Sequence, residues 1–443
     1  MRTRLTFAWA ERELPSGIGT DLTGFLSRDN PCVGQRDSLS ARAMYINDGR
    51  TGLVWVNVDI LGLGQALVER IRTVASERHK MPPRSFAITA THTHSAPASL
   101  FLANCGIVDR DWNRELEDTI IGVIDDAVQA RKKRVYLRFA QTDAPGYTYN
   151  RRTHTPDGKP LRDDTGQALD TRLSVITAHE TRDSEPVGAI VHYACHPVFY
   201  RDSQISADYP GVLIEGVKAD LGSDFPVMFL QGADADINPL RPTDDDEADA
   251  RRMGSGLATH AIELIRDGEK GTRLTPKLNT RLRMTTLTWV RDPEVQEIEP
   301  HLLDAADWTR AEKVDQALHM WAKRALAAKT RGWWFSGLRV PVQVTCFGEL
   351  IVAGAGVELF GETARCIEEA HSPRPVLTIG YANDLAGYLP PASEFEHGGY
   401  EIDTAYKYYG YPECFSPDAE ETVRQTIDSI LSVGTMAAPK HIG

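Results

Sequence analysis

Residues 85–97 read SFAITATHTHSAP, an apolar run (85–90) that passes directly into Thr91-His92-Thr93-His94-Ser95-Ala96-Pro97. A short apolar run that stops at a polar, proline-ended loop has the pattern of a buried strand. Upstream, residues 52–60 (GLVWVNVDI) form a second such run, and residues 65–77 between the two have helical spacing. Further out, residues 41–46 read as a strand and residues 115–132 as an amphipathic helix. The rhythm returns in the middle of the chain, with strands at 173–179, 186–193 and 226–230 and helices at 211–221 and 244–266. Toward the end come strands at 282–290 and within 340–353, and helices at 362–370 and 419–431. The last helix opens with acids, which suits the helix dipole. Residues 297–330 are charged and mostly helical, so 297–340 is expected to be a helical insertion: a surface helical pair or a lid. Strand–helix alternation with short connections predicts an α/β fold, a mixed β-sheet core flanked by helices. No repeat, low-complexity tract or linker is visible, and 1–443 is expected to form a single domain.

Composition narrows the class. With 443 residues, 42% of them hydrophobic and 25% charged, the chain can bury a large core without staples. Its net charge of −13 argues against nucleic acid and against anionic membrane surfaces, both of which call for a basic patch. No run of apolar residues is long enough to span a bilayer, and the apolar stretch near Met1 is too brief for a secretory signal. Six cysteines are scattered without a C-x-x-C pair, which fits reduced thiols and a cytoplasmic location.

Several candidate strand ends carry residues capable of chemistry. His92 and His94, two apart after a strand, can point into one pocket as metal ligands or as acid–base groups. H-x-H alone is common, and two unrelated loop histidines fit it equally well. His192 and His196 stand at a second strand end, His196 before Pro197. Two such ends, holding four of the 13 histidines, favour a metal site, because ligands from different strands meet at one edge of an α/β sheet. His192 can instead pack in the core, and Cys195 has the character of a buried small hydrophobe. Asp234 and Asp236 follow a third strand and can bind a metal, orient a histidine or act in acid–base chemistry, although an acidic turn is the simpler reading. Glu358 lies in a glycine-rich apolar stretch; if buried it needs a partner, otherwise it opens the next helix. Tyr381, Tyr388 and Tyr400 can donate to an oxyanion or, deprotonated, coordinate a metal, although packing is the simpler reading of isolated tyrosines.

Taken in order, these segments resemble the catalytic domain of the neutral/alkaline ceramidase family. Thr91 to Pro97 differs from its T-H-T-H-S-G-P only at Ala96. Asn150-Arg151 matches its Asn-Arg pair, although Arg152-Thr153 departs from the Ser-Pro that follows. His196-Pro197-Val198 matches H-P-V, and Val357-Glu358-Leu359-Phe360 keeps the acid of P-G-E-F. Tyr388 and Tyr400-Glu401 match two tyrosines twelve apart, the second followed by Glu. Asp21-Leu22-Thr23-Gly24, Ala41-Arg42-Ala43 and Ser206-Ala207-Asp208 also look like the family, so the similarity spans nearly the whole chain.

The resemblance implies one zinc ion (Zn2+) held by His92, His196, Glu358 and Tyr388, with His94, Arg151 and Tyr400 lining the pocket. Two histidines, a carboxylate and a further oxygen make a sensible catalytic zinc shell if one position stays open. His94 is then the expected proton shuttle, with Arg151 and Tyr400 at the oxyanion or at a polar end of the substrate. Asn238 replaces the serine that the family carries in G-D-V-S-P-N, so attack by water is expected rather than a serine nucleophile. The family's C-terminal immunoglobulin-like domain is not seen. Together these imply a zinc-dependent hydrolase acting on an amide-like bond of a small N-acyl or cyclic substrate. Acyl transfer, cyclisation or ring opening at the same site, and a non-catalytic zinc-containing binding protein, are the alternatives.

Overall fold

The computed structural model describes residues 4–152, 169–181, 184–267, 271–332 and 336–435. Thr153 and residues 333–335 of the expected insertion lie outside them. The larger sheet runs in the order Val227–Gln231, Pro186–Tyr193, Arg172–His179, Lys133–Asp143, Leu5–Glu13, Ser40–Asn47, Gly52–Val58, Phe86–Ala90. The smaller one runs Leu278–Thr288, Gly337–Phe347, Leu350–Ala355, Val376–Ile379. Both mix parallel and antiparallel pairing, the α/β class expected from the sequence.

One pattern generates all of this. Three antiparallel strands are followed by a helix, by a fourth strand parallel to the third, and by a second helix. The first unit is Leu5–Glu13, Ser40–Asn47, Gly52–Val58, helix Gln65–His79, Phe86–Ala90, helix Arg110–Gln129. The second is Lys133–Asp143, Arg172–His179, Pro186–Tyr193, helix Asp208–Leu221, Val227–Gln231, helix Asp246–Arg266. The third is Leu278–Thr288, Gly337–Phe347, Leu350–Ala355, helix Gly361–His371, Val376–Ile379, helix Ala419–Thr435. The first two join edge to edge through their opening strands, Leu5 opposite Val135. The third packs against the joint sheet.

Alternation along the strands produces the layers. In Gly52–Val58, Val54, Val56 and Val58 face the helices Gln65–His79 and Arg110–Gln129, whereas Leu53 and Trp55 face the smaller sheet. Trp55 meets Phe347 of that sheet with ring centroids 6.4 Å apart. Val175, Val191 and Phe229 face the second unit's helices, and Val342, Ile351 and Ala353 face the third unit's. The order is therefore helices, sheet, sheet, helices. Each fully buried aliphatic or aromatic side chain in the two middle layers contributes about 1.5–3 kcal/mol.

Leu5–Glu13 and Lys133–Asp143 are absent from the elements expected above. The first has only a brief apolar part, 5–10, before the charged Glu11-Arg12-Glu13; the second mixes charged residues into a period of two, with Val135, Leu137 and Phe139 buried while Arg134 is exposed. The helix expected at 115–132 begins at Arg110, because the Asp109 side chain accepts from the main-chain N–H groups of Asp111 and Trp112. The stretch 297–340 supplies helix Lys313–Arg331 between two strands of the third unit. That helix lies against the 101–109 loop, where Asn104 Nδ2 donates to the Lys313 carbonyl at 2.8 Å. Trp321 Nε1 ties it to the Tyr411 carbonyl at 2.7 Å. Among the described residues, no helix is long and apolar enough to cross a membrane.

Candidate metal centre

The three units converge where the chain leaves their parallel strand pairs. His196 and Glu358 are each the third residue past the third strand of their unit. Leu61 holds the same position in the first unit. His92 and Tyr381 are each the second residue past the fourth strand of their unit. Both have positive φ, 67° and 54°, a conformation rare outside glycine and concentrated at functional sites.

His92, His94 and His196 form a group whose ligand-capable atoms lie within 4.8 Å of one another. Each imidazole is anchored through Nδ1 to a main-chain oxygen: His92 to Leu61 at 2.7 Å, His94 to Gly24 at 3.0 Å and His196 to Asp234 at 2.6 Å. A carbonyl can only accept, so each Nδ1 carries the proton and each Nε2 presents a lone pair. The Nε2 atoms of His92 and His94 are 3.2 Å apart. Glu358 Oε2 lies 3.6 Å from His92 Nε2 and 3.4 Å from His196 Nε2. Glu358 Oε1 accepts from the Tyr409 hydroxyl at 2.5 Å.

Burial holds these imidazoles neutral. Desolvation lowers His92 and His196 to about 3 and places His94 well below its ordinary value. Two neutral nitrogen lone pairs face each other beside a buried carboxylate, and His196 Nε2 has no hydrogen-bond partner. A cation accounts for all of these. A tetrahedral ion with bonds of about 2.0–2.1 Å sets its ligands roughly 3.3 Å apart, close to the separations of Glu358 from His92 and from His196. The donor set fits a divalent metal, and it brings His94 into the same cluster as the expected ligands.

Tyr388 pairs with Glu358 in a short parallel ladder, which sets the two residues side by side. Its hydroxyl accepts from Arg151 Nη2 at 3.1 Å, while burial, the largest influence, pushes the phenol well above its ordinary value. Arg151 also reaches Asn238 Oδ1 at 3.4 Å and pairs with Glu401 at 2.8 Å. Glu401 in turn bridges to Arg152. Tyr400 stands half-exposed at the rim, its ring 5.7 Å from that of Tyr388. Gly24 has φ of 100°, and a Cβ there would stand 2.6 Å from the His94 ring, so the glycine of Asp21–Gly24 is required by both backbone and space. Arg28, itself buried, donates to the carbonyls of Thr23, His94 and Tyr200 and fixes this corner.

Other candidates have structural work. His192 is outside the cluster: its Nε2 donates to the Thr378 carbonyl at 3.0 Å and joins the second unit to the third. Asp236 accepts from Asn150 Nδ2 at 2.7 Å and from the Gly361 N–H at 2.9 Å. Asp234 accepts from the Tyr381 hydroxyl at 2.6 Å. For Asp234 the sequence favours an acidic turn and for Tyr381 a packing residue; the structure instead sets both against the histidine and glutamate cluster.

Residues 16–220 match the family described as neutral/alkaline non-lysosomal ceramidase, N-terminal. A neutral ceramidase from Pseudomonas aeruginosa shares the fold with a TM-score of 0.73 at 18% identity, over 96% of this chain and 73% of that one. A ceramidase complexed with C2 gives 0.72 at 17% identity, over 96% and 74%. No curated protein matches the chain. The resemblance read from the sequence is borne out: the first half matches the ceramidase family, and the whole fold is shared with ceramidases.

Proposed function

We propose that this protein is a zinc-dependent hydrolase that cleaves an amide-like bond in a small N-acyl or cyclic substrate. The observation that carries the reading is the convergence of three neutral imidazole nitrogens and the Glu358 carboxylate on one buried point. The match of residues 16–220 to an amidase family supports the reaction class. His92, His196 and Glu358, with Tyr388 alongside, would hold the ion. A zinc ion at such a site supplies Lewis acidity toward a carbonyl and lowers the pKa of water.

The chain's own groups do the rest. His94, with Nδ1 fixed on the Gly24 carbonyl, offers Nε2 to accept a proton from water and return it to the leaving nitrogen. Arg151 directs its charge toward Tyr388 and Asn238, where it stabilises a developing oxyanion. Tyr400 at the rim orients the polar end of the substrate, and the Asn238 amide positions water or substrate. Because an amide is no ordinary nucleophile, the reaction proceeds without a covalent intermediate at that position. The test is amine release from a panel of N-acylated small amines and cyclic amides by zinc-loaded protein. Turnover by wild type, lost in His94→Ala with zinc retained, is the expected outcome. No turnover across the panel would contradict the assigned chemistry.

A further inference from the structure

We propose that the buried Tyr381–Asp234 pair is a positioning element for the metal shell, locking together ligands supplied by three separate structural units. It rests on the reading of the site as a metal centre. A shell assembled this way has a particular weakness. His92, His196 and Glu358 sit on different units, so any sliding of one unit against another opens the site, and ligand sets tolerate misplacement of only about 0.5 Å.

Tyr381 and Asp234 touch all three ligands. The Tyr381 ring stacks on His92 at 3.9 Å between centroids and 16° between planes. Its hydroxyl donates to Asp234 Oδ1 at 2.6 Å and stands 3.5 Å from Glu358 Oε2. Asp234 holds His196 twice, through its main-chain oxygen at 2.6 Å from Nδ1 and through Oδ2 at 3.4 Å. Gln231 Nε2 donates to Oδ2 and fixes the carboxylate plane. Tyr381 and Asp234 are fully buried, and the Tyr381 backbone holds a positive φ that residues with a Cβ disfavour. A group that only filled space would not need that conformation, a stack on one ligand and a hydrogen bond to the anchor of another. Partners of this kind fix ring orientation and raise ligand basicity.

The experiment is zinc affinity by competition with a chromophoric chelator, for wild type, Tyr381→Phe, Asp234→Asn and the double variant. The thermal midpoint of each metal-free protein is measured alongside. Tyr381→Phe keeps the ring and its stack and removes only the hydroxyl. Asp234→Asn puts either an N–H toward Gln231 or an N–H toward Tyr381, where an acceptor is needed. Each single variant is expected to bind zinc about ten- to a hundredfold more weakly, as is typical when such outer partners are removed. The double variant is expected to be little worse than the weaker single one, because both changes break the same bond. Tyr381→Phe carries the test alone if Asp234→Asn does not fold. Variants with wild-type zinc affinity, whether or not their metal-free midpoint falls, would overturn the inference and leave the metal reading standing. A wild-type protein that takes up no zinc would overturn both.

Discussion

His92 and Tyr381 occupy equivalent positions in two of the three structural units, both with positive φ, and their rings stack 3.9 Å apart. The site lies where three copies of one backbone pattern meet, and each copy has placed different chemistry at the same exits. A histidine and a glutamate follow the third strand in two units, and a histidine and a tyrosine follow the fourth. Consequences follow for residues that face the cluster and for those that only brace it.

Gly24→Ala tests how tightly His94 is held. The new methyl would fall 2.6 Å from the imidazole, at a φ of 100°. The substitution should destabilise the fold by at least about 1 kcal/mol. It should also reduce turnover of an identified substrate more than that loss explains, because the ring carrying the proton is displaced. Urea unfolding and steady-state kinetics on one preparation check both; unchanged kinetics would mean His94 tolerates displacement.

Glu401→Gln removes the buried carboxylate between two adjacent half-buried guanidinium groups, those of Arg151 and Arg152. Breaking a buried pair by deleting one partner costs about 3–5 kcal/mol. The variant should unfold at markedly lower urea and lose activity while zinc content stays near wild type, since Glu401 contacts none of the three histidines. A full loss of zinc would instead place Glu401 within the metal shell.

Acid should act against the metal-free protein through its buried imidazoles. Burial holds His92 and His196 near 3, against an ordinary value of 6.5. Between those values the unfolded chain binds protons that the folded one refuses, so stability is fully present above 6.5 and is lost as pH falls toward 3. Each such histidine contributes a slope of about 1.4 kcal/mol per pH unit in that window. Urea melts at pH 7.5, 6.0 and 5.0 of wild type and His92→Gln side by side isolate this contribution from that of the buried carboxylates: the wild type should lose stability relative to the variant as pH falls. A difference that does not change with pH would mean that the His92 imidazole is not held neutral.

His192 tests whether one or both histidines at the second strand end serve the metal. His192→Gln should leave zinc stoichiometry unchanged and lower the unfolding midpoint, because it cuts the bond to Thr378 that joins two units. Zinc loss in this variant, measured by elemental analysis, would return His192 to the ligand set.

Much of this was legible in the sequence. Strand rhythm in 41–90 and 173–230 locates the parallel pairs, and the order of motifs points to His92, His196, Glu358 and Tyr388. The threefold pattern was not visible because THTH, GADAD and GYAND share no residue pattern; the repetition lies in hydrogen bonding and strand order. Leu5–Glu13 is hidden because its apolar part is brief and ends in three consecutive charged residues, and Lys133–Asp143 because its charged residues alternate with core residues and mask the apolar half. The roles of Asp234 and Tyr381 depend on distances across units, which spacing along one chain does not encode.

The most direct measurement is zinc per chain by elemental analysis, in wild type and Glu358→Ala purified side by side. The account predicts about one zinc in wild type and a large fraction lost in the variant, whose histidines lose their anionic partner. No zinc in wild type after zinc is supplied, or equal zinc in both proteins, would contradict it.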